Sequence, residues 1–457
     1  MSVGLVMATR GPGLGRVGNL GEMARPHQRF AASRTIDRAE SPRAARNGTG
    51  ERTPVLHAVP ALGLPSETFI RDAIAEVEAL EWVAWVITEA TVGDTGSVPP
   101  ERIVLTPPAL PLPDKIAVRV PGLRRGDPRW ERAARKYLAA FAQAPPGILH
   151  AHFGWAGAYC WLAARTLGLP FVVSFHGTDL TVSAAHPIWR DAYATMLRQA
   201  SCVTVVSRFL EGKLRGLGYE RSVEIVPAGV RLERFPFSGG PRPGEAPRIL
   251  FIGRLIACKG PDTLIEALAR TRAHGVQATL RIVGDGSLRT DLEQAARAAG
   301  VDRTVHFAGT CSHAEVRQEL QRADIVVVPS REMPDGQAEG SSVVIKEAQA
   351  IGVPVVATDV GGIPETLPPE RRFELVPPDQ PELLAAQIMR VWGARDEWGG
   401  RVRRHREWIE SEFAWSRLAL RLSAIYDRLI AEHPPANARL ARRIHAPSSG
   451  NLRRRVR

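Results

Sequence analysis

Between residues 54 and 433 short apolar runs alternate with stretches whose apolar residues recur at helical spacing. Val55–Val59 reads as the first strand, followed by a Pro/Gly loop at Pro60–Pro65. Ser66 stands where it can cap a helix over Thr68–Leu80, in which Ile70, Ile74 and Val77 share one face. Strands are then expected at Trp82–Thr88, Ile148–His152, Phe171–Phe175, Cys202–Val206 and Val223–Val226, and helices at Gly157–Leu167 and Phe209–Leu217. Ser238–Pro247 (SGGPRPGEAP) interrupts the pattern with the composition of a linker. The alternation then restarts. Strands are expected at Arg248–Ile252, Thr279–Val283, Val305–Ala308, Ile325–Pro329 and Pro354–Thr358, with helices at Pro261–His274, Leu288–Gly300, His313–Gln321 and Ser342–Ala350. Helical spacing continues through Glu382–Trp392, Arg401–Phe413 and Ser416–His433, and Pro434-Pro435 ends it.

Strands alternating with helices imply parallel sheets covered on both faces. The fold class is therefore α/β, with two Rossmann-like parallel-sheet domains facing a cleft and C-terminal helices crossing back to the N-terminal domain. The expected boundaries are a basic extension, 1–53; an N-terminal domain, 54–237; a linker, 238–247; a C-terminal domain, 248–410; a crossover helix, 411–433; and a basic tail, 434–457. Ligands of such sheets bind beyond the C-terminal ends of the strands.

Composition narrows the class. The chain has 457 residues, 44 % apolar and 6 % aromatic, enough for a large core in an ordinary globular protein. Its formal charge is +12, but residues 1–53 contribute +5 and residues 434–457 contribute +7, so 54–433 is formally neutral. A nucleic-acid-binding protein would more often carry its basic surface on the folded part. The two ends fit solvated, disordered extensions, or weak adhesion to an anionic membrane surface. Cys160, Cys202, Cys258 and Cys311 are widely spaced and form no CxxC pair, which fits a reducing cytosol, and Cys202 reads as a small core residue. No apolar stretch approaches the roughly 18–20 residues that span a bilayer, and the N-terminus lacks the apolar core of a signal peptide. The expected location is the cytoplasm, in solution or peripheral at the membrane face.

Four segments carry candidate chemistry. Val327-Val328-Pro329-Ser330 leads to Glu339-Gly340-Ser341-Ser342, then to Glu347-Ala348-Gln349-Ala350 and Gly352-Val353-Pro354-Val355-Val356-Ala357-Thr358. A helix start after Gly340 presents N–H groups and the positive end of the helix dipole, which suit a diphosphate. Glu339 can accept hydrogen bonds from sugar hydroxyls, and Glu347, two turns on, can reach a second polyol. Spacing alone fits a capped surface helix with two solvated glutamates equally well. Gly253-Arg254-Leu255 and Lys259-Gly260 follow a strand and place two cations where they can grip a diphosphate, or simply edge an ordinary loop. Gly284-Asp285-Gly286 is a turn after another strand. His176-Gly177-Thr178-Asp179 ends an N-terminal strand, where a histidine can meet a hydroxyl or phosphate and Asp179 can orient the loop or cap a helix.

Together these segments resemble the retaining glycosyltransferases of family 4, which have the GT-B fold. The resemblance covers roughly 54–430 and is most specific at Glu339 and Glu347 in their setting. The GRL…KG at 253–260, VGDG at 283–286, V.F.G at 305–309 and HG.D at 176–179 support it. Ser66-Glu67-Thr68-Phe69-Ile70, His150-Ala151-His152-Phe153 and the insert Pro334–Ala338 look like the colanic-acid type of exopolysaccharide glycosyltransferase. The resemblance implies that Arg254 and Lys259 neutralise the leaving diphosphate, Glu339 holds hydroxyls of the donor hexose, Glu347 holds the ribose, and His176 touches the donor sugar. Gly253, Gly284, Gly286, Gly340, Ser341 and Ser342 would line the donor, the Gly284–Gly286 and Phe307–Thr310 loops its base. Ser66, Glu67 and Thr68 would face the acceptor. Three departures stand out: Pro65-Ser66-Glu67-Thr68 replaces a Gly-rich first loop, Ala228-Gly229-Val230-Arg231 replaces Asn-Gly-Val-Asp, and Ser341-Ser342 replaces Phe-Gly.

The reaction so implied is transfer of a hexosyl group, with retention, from a nucleotide diphosphate sugar to a glycan or lipid-linked acceptor. No DxD-type metal pair stands beside a diphosphate loop, so neither a metal nor any other cofactor is expected. Two further readings of the fold are a non-catalytic nucleotide-sugar-binding protein and a sugar-nucleotide epimerase. An oxidoreductase would require GxGxxG after its first strand, and Val55–Pro65 contains none.

Overall fold

The computed structural model describes residues 52–64, 67–106, 128–145, 147–241 and 244–433. Ser66, the greater part of the basic extension and the tail 434–457 lie outside these residues. In the N-terminal half the strands are β1 (Val55–Leu62), β2 (Ala84–Thr91), β3 (Ile103–Leu105), β4 (Ile148–His152), β5 (Phe171–Phe175), β6 (Cys202–Val205) and β7 (Glu224–Ile225). They form one parallel sheet in the order β3-β2-β1-β4-β5-β6-β7. The helices are α1 (Thr68–Glu78), α2 (Pro128–Phe141), α3 (Gly154–Leu167), α4 (Thr178–Thr181), α5 (Pro187–Gln199) and α6 (Arg208–Gly216). The second sheet is parallel and runs β10-β9-β8-β11-β12, from β8 (Arg248–Ile252), β9 (Thr279–Val283), β10 (Val305–Gly309), β11 (Ile325–Val328) and β12 (Val355–Ala357). Helices α7 (Pro261–Ala273), α8 (Arg289–Ala298), α9 (His313–Arg322), α10 (Val343–Ile351), α11 (Pro381–Gly393) and α12 (Trp398–Glu412) follow, and α13 (Trp415–Glu432) ends the described chain.

The central strands are buried on both faces, which is why they read as continuous apolar runs rather than alternating ones. Phe171, Val172, Val173 and Phe175 of β5 are each no more than 2 % exposed. Helix α13 returns to the first sheet, where Leu418, Leu422, Ile425 and Tyr426 pack with Val55, Ile148, Val172 and Trp82. Beneath it lies a polar row. His57 of β1 pairs in register with His150 of β4, and His152 with Ser174 of β5, so these side chains share a sheet face. His150 Nδ1 lies 2.7 Å from the Tyr426 hydroxyl and its Nε2 2.6 Å from Ser174 Oγ. His57 Nδ1 meets His152 Nε2 at 3.0 Å. The α13 docking site thus contains hydrogen bonds as well as apolar contacts.

Three sequence expectations need correction. Residues Arg52 and Thr53 belong to the packed protein: Arg52 lies 4.8 Å over the Trp82 ring and bonds Ser423, and Thr53 is buried. The cap position of α1 is Glu67, not Ser66. The passage between domains also falls before 238–247, because Val230, Phe235 and Phe237 already pack with the second core. Ser238 bonds the Ile351 carbonyl through both its N–H and its hydroxyl, so this end of the Pro/Gly-rich stretch is fastened to the C-terminal domain. The return passage lies between α12 and α13. The two passages meet there: Val230 N–H donates to Phe413 O (2.8 Å), and Trp415 N–H to Val230 O (3.1 Å). The four cysteines are free and Cys202 is buried. No helix among the described residues is long and apolar enough to cross a membrane.

Candidate active site

The N-terminal contribution is built on the end of β5. Asp179, fully buried, accepts the N–H groups of Gly154 (2.9 Å), Gly177 (2.8 Å) and His176 (3.2 Å). Burial raises its pKa to about 6, against the lowering effect of those N–H groups. This carboxylate fixes the turn, one of the roles the sequence allows for it. The His176 ring is wedged between Phe69 (4.9 Å between centroids), Phe153 (4.8 Å) and His152 (5.6 Å, stacked). Burial, then the neighbouring His152, hold its pKa well below the ordinary histidine value, so the imidazole is neutral near pH 7. Neither ring nitrogen has a hydrogen-bond partner among the described residues. A neutral imidazole with a free donor and acceptor suits a sugar hydroxyl.

The C-terminal contribution comes from loops after β8, β9 and β11. Lys259 forms an ion pair with Glu339, so the cation expected on the diphosphate and the carboxylate expected on the sugar reach one point. The backbone of Gly340 then crosses against His176 of the other domain: a Cβ built on Gly340 would stand 2.7 Å from the His176 carbonyl oxygen. Gly284 and Gly286 have a packing role. A side chain at the first would strike Gly253 O at 2.0 Å and at the second Leu255 O at 2.5 Å, so these glycines let the two loops nest. Ser341 Oγ lies 2.6 Å from Lys346 Nζ, and Ser342 occupies the cap position of α10 without a side-chain capping bond. The N–H groups that open α10 are therefore uncapped by Ser342 and suit an anion.

Glu347 is 6 % exposed, and burial together with Asp72 of α1 raises its pKa to about 8 despite Lys346. It is thus protonated at neutral pH and can both donate to and accept from a diol. Glu67 lies within electrostatic reach of Arg254. Burial, then Asp179, raise its pKa to about 7 while Arg254 opposes them. Its Oε2 is buried without a hydrogen-bond partner among the described residues. A carboxyl group of the N-terminal domain and a guanidinium of the C-terminal domain therefore influence each other across the two halves. Thr68 is buried at the start of α1.

Several participants were not read from the sequence. Glu365, from the C-terminal domain, accepts the N–H groups of Arg208 (2.8 Å) and Phe209 (3.0 Å) at the start of α6. Arg234 pairs with Asp72 (2.8 Å) and Arg231 with Glu76 (3.0 Å), again joining the passage to α1. These contacts depend on segments far apart in the chain, and no local spacing signals them. Among the described residues one group, His57, His150 and His152, brings three metal-type side chains together. His57 Nδ1 and His152 Nε2 engage each other, and both nitrogens of His150 engage Tyr426 and Ser174, while His57 Nε2 and His152 Nδ1 are buried without a hydrogen-bond partner among the described residues.

Two family models match the chain: Glycosyltransferase Family 4 over residues 66–234, and Glycosyl transferases group 1 over residues 246–393. A protein of Escherichia coli (strain K12) named as a colanic acid biosynthesis glycosyltransferase, WcaL, is 31 % identical over 279 residues, covering 58 % of this chain and 66 % of that protein. The chain thus spans just under two thirds of that relative's length. A GDP-mannose-dependent alpha-(1-6)-phosphatidylinositol monomannoside mannosyltransferase of Mycobacterium tuberculosis (strain CDC 1551 / Oshkosh) is 30 % identical over 285 residues, covering 59 % of this chain and 74 % of that protein. Among solved structures, Anabaena Alr3699/HepE in complex with UDP superposes with a TM-score of 0.63 at 17 % identity, over 81 % of this chain and 99 % of that one. With its two facing parallel sheets, the chain belongs to the family 4, or group 1, glycosyltransferases and has their GT-B fold.

Proposed function

We propose that the protein transfers a hexosyl group, with retention and without a metal ion, from a nucleotide diphosphate sugar to a glycan or lipid-linked acceptor in the building of an exopolysaccharide or cell-surface polysaccharide. The observation that carries this reading is the convergence of Glu339, paired with Lys259, on the strand end that holds His176. In this reading Arg254, Lys259 and the N–H groups opening α10 take up the charge that develops on the leaving diphosphate, which is electrostatic stabilisation by pre-organised donors. Glu339 and His176 hold hydroxyls of the hexose on opposite sides of the cleft. Glu347 holds the ribose as a neutral acid. Glu67 and Thr68, with Ser66 beside them in sequence, receive the acceptor. The contact between the domains limits the access of water to the activated sugar. The named activities of the relatives, in colanic acid synthesis and mannosyl transfer, support a surface-glycan role. A cytoplasmic location, peripheral at the membrane face through the basic ends, fits a lipid-linked acceptor.

The test is Glu339→Ala in the full chain. Transfer is expected to fall at least a hundredfold with the unfolding temperature nearly unchanged, since one hydroxyl-binding carboxylate contributes several kcal/mol to such a transition state. Transfer at the wild-type rate would overturn the assignment.

A further inference from the structure

Lys346 sits in the middle of the apolar helix α10 and is 0 % exposed. Packing alone would place an aliphatic residue there, because a buried ammonium is costly unless its donors are satisfied. Its Nζ donates to the Ala228 carbonyl at 2.7 Å and to Ser341 Oγ at 2.6 Å, and lies 4.8 Å from the centre of the Phe413 ring. Each partner belongs to a different segment of the chain. Ser341 follows Glu339-Gly340 in the donor loop. Ala228 lies on the outward passage between domains and Phe413 on the return. The passages are stitched by the Val230–Phe413 and Val230–Trp415 backbone bonds, and Gly229 is pressed on Trp415 so that a Cβ there would stand 2.7 Å from the indole.

We propose that Lys346 is a positioning residue that couples the donor loop to the hinge, so that the Glu339-Gly340-Ser341 segment takes its place against His176 only with the two passages locked together. The part assigned to Glu339 rests on the transferase reading above. Burial lowers the pKa of Lys346 to about 7, against the carboxyl groups of Glu339 in the donor loop, Glu365 and, on its own helix, Glu347, which favour the charged form. The two passages contribute a carbonyl and a ring, neither of which titrates. The ammonium is therefore balanced by Glu339 of the donor loop and by Glu365, the interdomain cap of α6.

The test is Lys346→Met, which keeps an unbranched side chain as far as the Cε position and removes the donors. Amide hydrogen exchange is followed in the full chain without ligand, beside steady-state transfer. Exchange is expected to rise at 228–230, 339–341 and 413–415 while β4, β5, β8 and β9 keep their protection, and the KM for the nucleotide-sugar is expected to rise at least tenfold. A purely structural lysine would raise exchange across the sheets as well, and that result, or unchanged exchange at all three segments, would overturn the proposal. Should Lys346→Met not fold, Ser341→Ala breaks the same link from its other end and should raise exchange at 339–341 alone; no change there would likewise overturn it. If exchange responds as expected but wild-type protein turns over no nucleotide-sugar, the coupling stands and the transferase reading falls.

Discussion

The backbone of Gly340 lies against the carbonyl of His176, with room for no side chain between them: a Cβ would come within 2.7 Å of that oxygen. The Glu339-Gly340-Ser341 segment of one domain and the histidine of the other therefore meet at this point. Gly340→Ala must push the loop away from the strand end, an overpacking cost of about 1–3 kcal/mol. The expected result is a fall in kcat/KM of about tenfold or more together with a drop of several degrees in unfolding temperature. Kinetics with thermal unfolding on the same preparation checks it, and an unaltered kcat/KM would show that the close approach has no bearing on the reaction.

Glu365 caps α6 from the opposite domain, through the N–H groups of Arg208 and Phe209. Ser207 caps the same helix locally through the Leu210 N–H. Glu365→Ala removes only the interdomain cap, a loss of about 1–3 kcal/mol for charge-assisted bonds to a helix start. At about 2–4 °C per kcal/mol for a chain of domain-sized units, the unfolding temperature should drop by several degrees. Glu365→Gln, which keeps an acceptor, should recover part of it. Equal unfolding temperatures for all three proteins would contradict the capping role.

Glu67 carries a raised pKa, from 4.5 to about 7. The folded protein therefore binds the proton more tightly than the unfolded chain. The sign follows: this group's contribution to stability is complete below the unfolded value near 4.5, is lost progressively as the pH rises through about 7, and is constant above. Glu67→Gln should be insensitive over that window, so the stability difference between wild type and variant should change there and be flat outside it. Under the acceptor-side reading the acceptor KM should also fall as Glu67 ionises. Parallel stability curves for the two proteins would contradict the shift.

The tail 434–457 carries seven Arg and no acidic residue. Truncation after His433 is expected to weaken binding to vesicles containing anionic lipid, more so at low salt, while kcat on a soluble acceptor stays unchanged. Co-sedimentation with such vesicles measures the first. Binding that survives truncation would move the membrane contact to the basic residues 1–53 or to the folded part.

The architecture was largely legible because buried parallel strands are short uniform apolar runs. Ile148–His152, Phe171–Phe175, Arg248–Ile252 and Thr279–Val283 occur as read. Helices α2 and α5 went unread. Helix α5 begins with Pro187 at its first position after His186, a start signal that could have found it. Glu339, Glu347, Arg254, Lys259 and His176 stand out as candidates in the sequence because each sits in a contiguous stretch with a strand end or helix start beside it, and the structure pairs Lys259 with Glu339. The segment Ala228-Gly229-Val230-Arg231 carries no local signal of a role, and the structure places it on the outward passage, paired with the return passage. Its meaning depends on Phe413–Trp415 lying beside it, and local periodicity carries no information about that pairing. Lys346 had a local signal, a charge inside an apolar helix, but its partners could be named only from the fold.

In the proposed reaction the cations and N–H groups of the C-terminal domain bind a nucleotide diphosphate sugar with no metal ion. The most direct measurement is the unfolding temperature of the full chain against a panel of UDP- and GDP-hexoses in the presence of EDTA. A rise with one nucleotide class that persists in EDTA and disappears in Arg254→Ala and Lys259→Ala is the predicted result. A rise that requires added divalent cation, or no rise with any member of the panel, would contradict it.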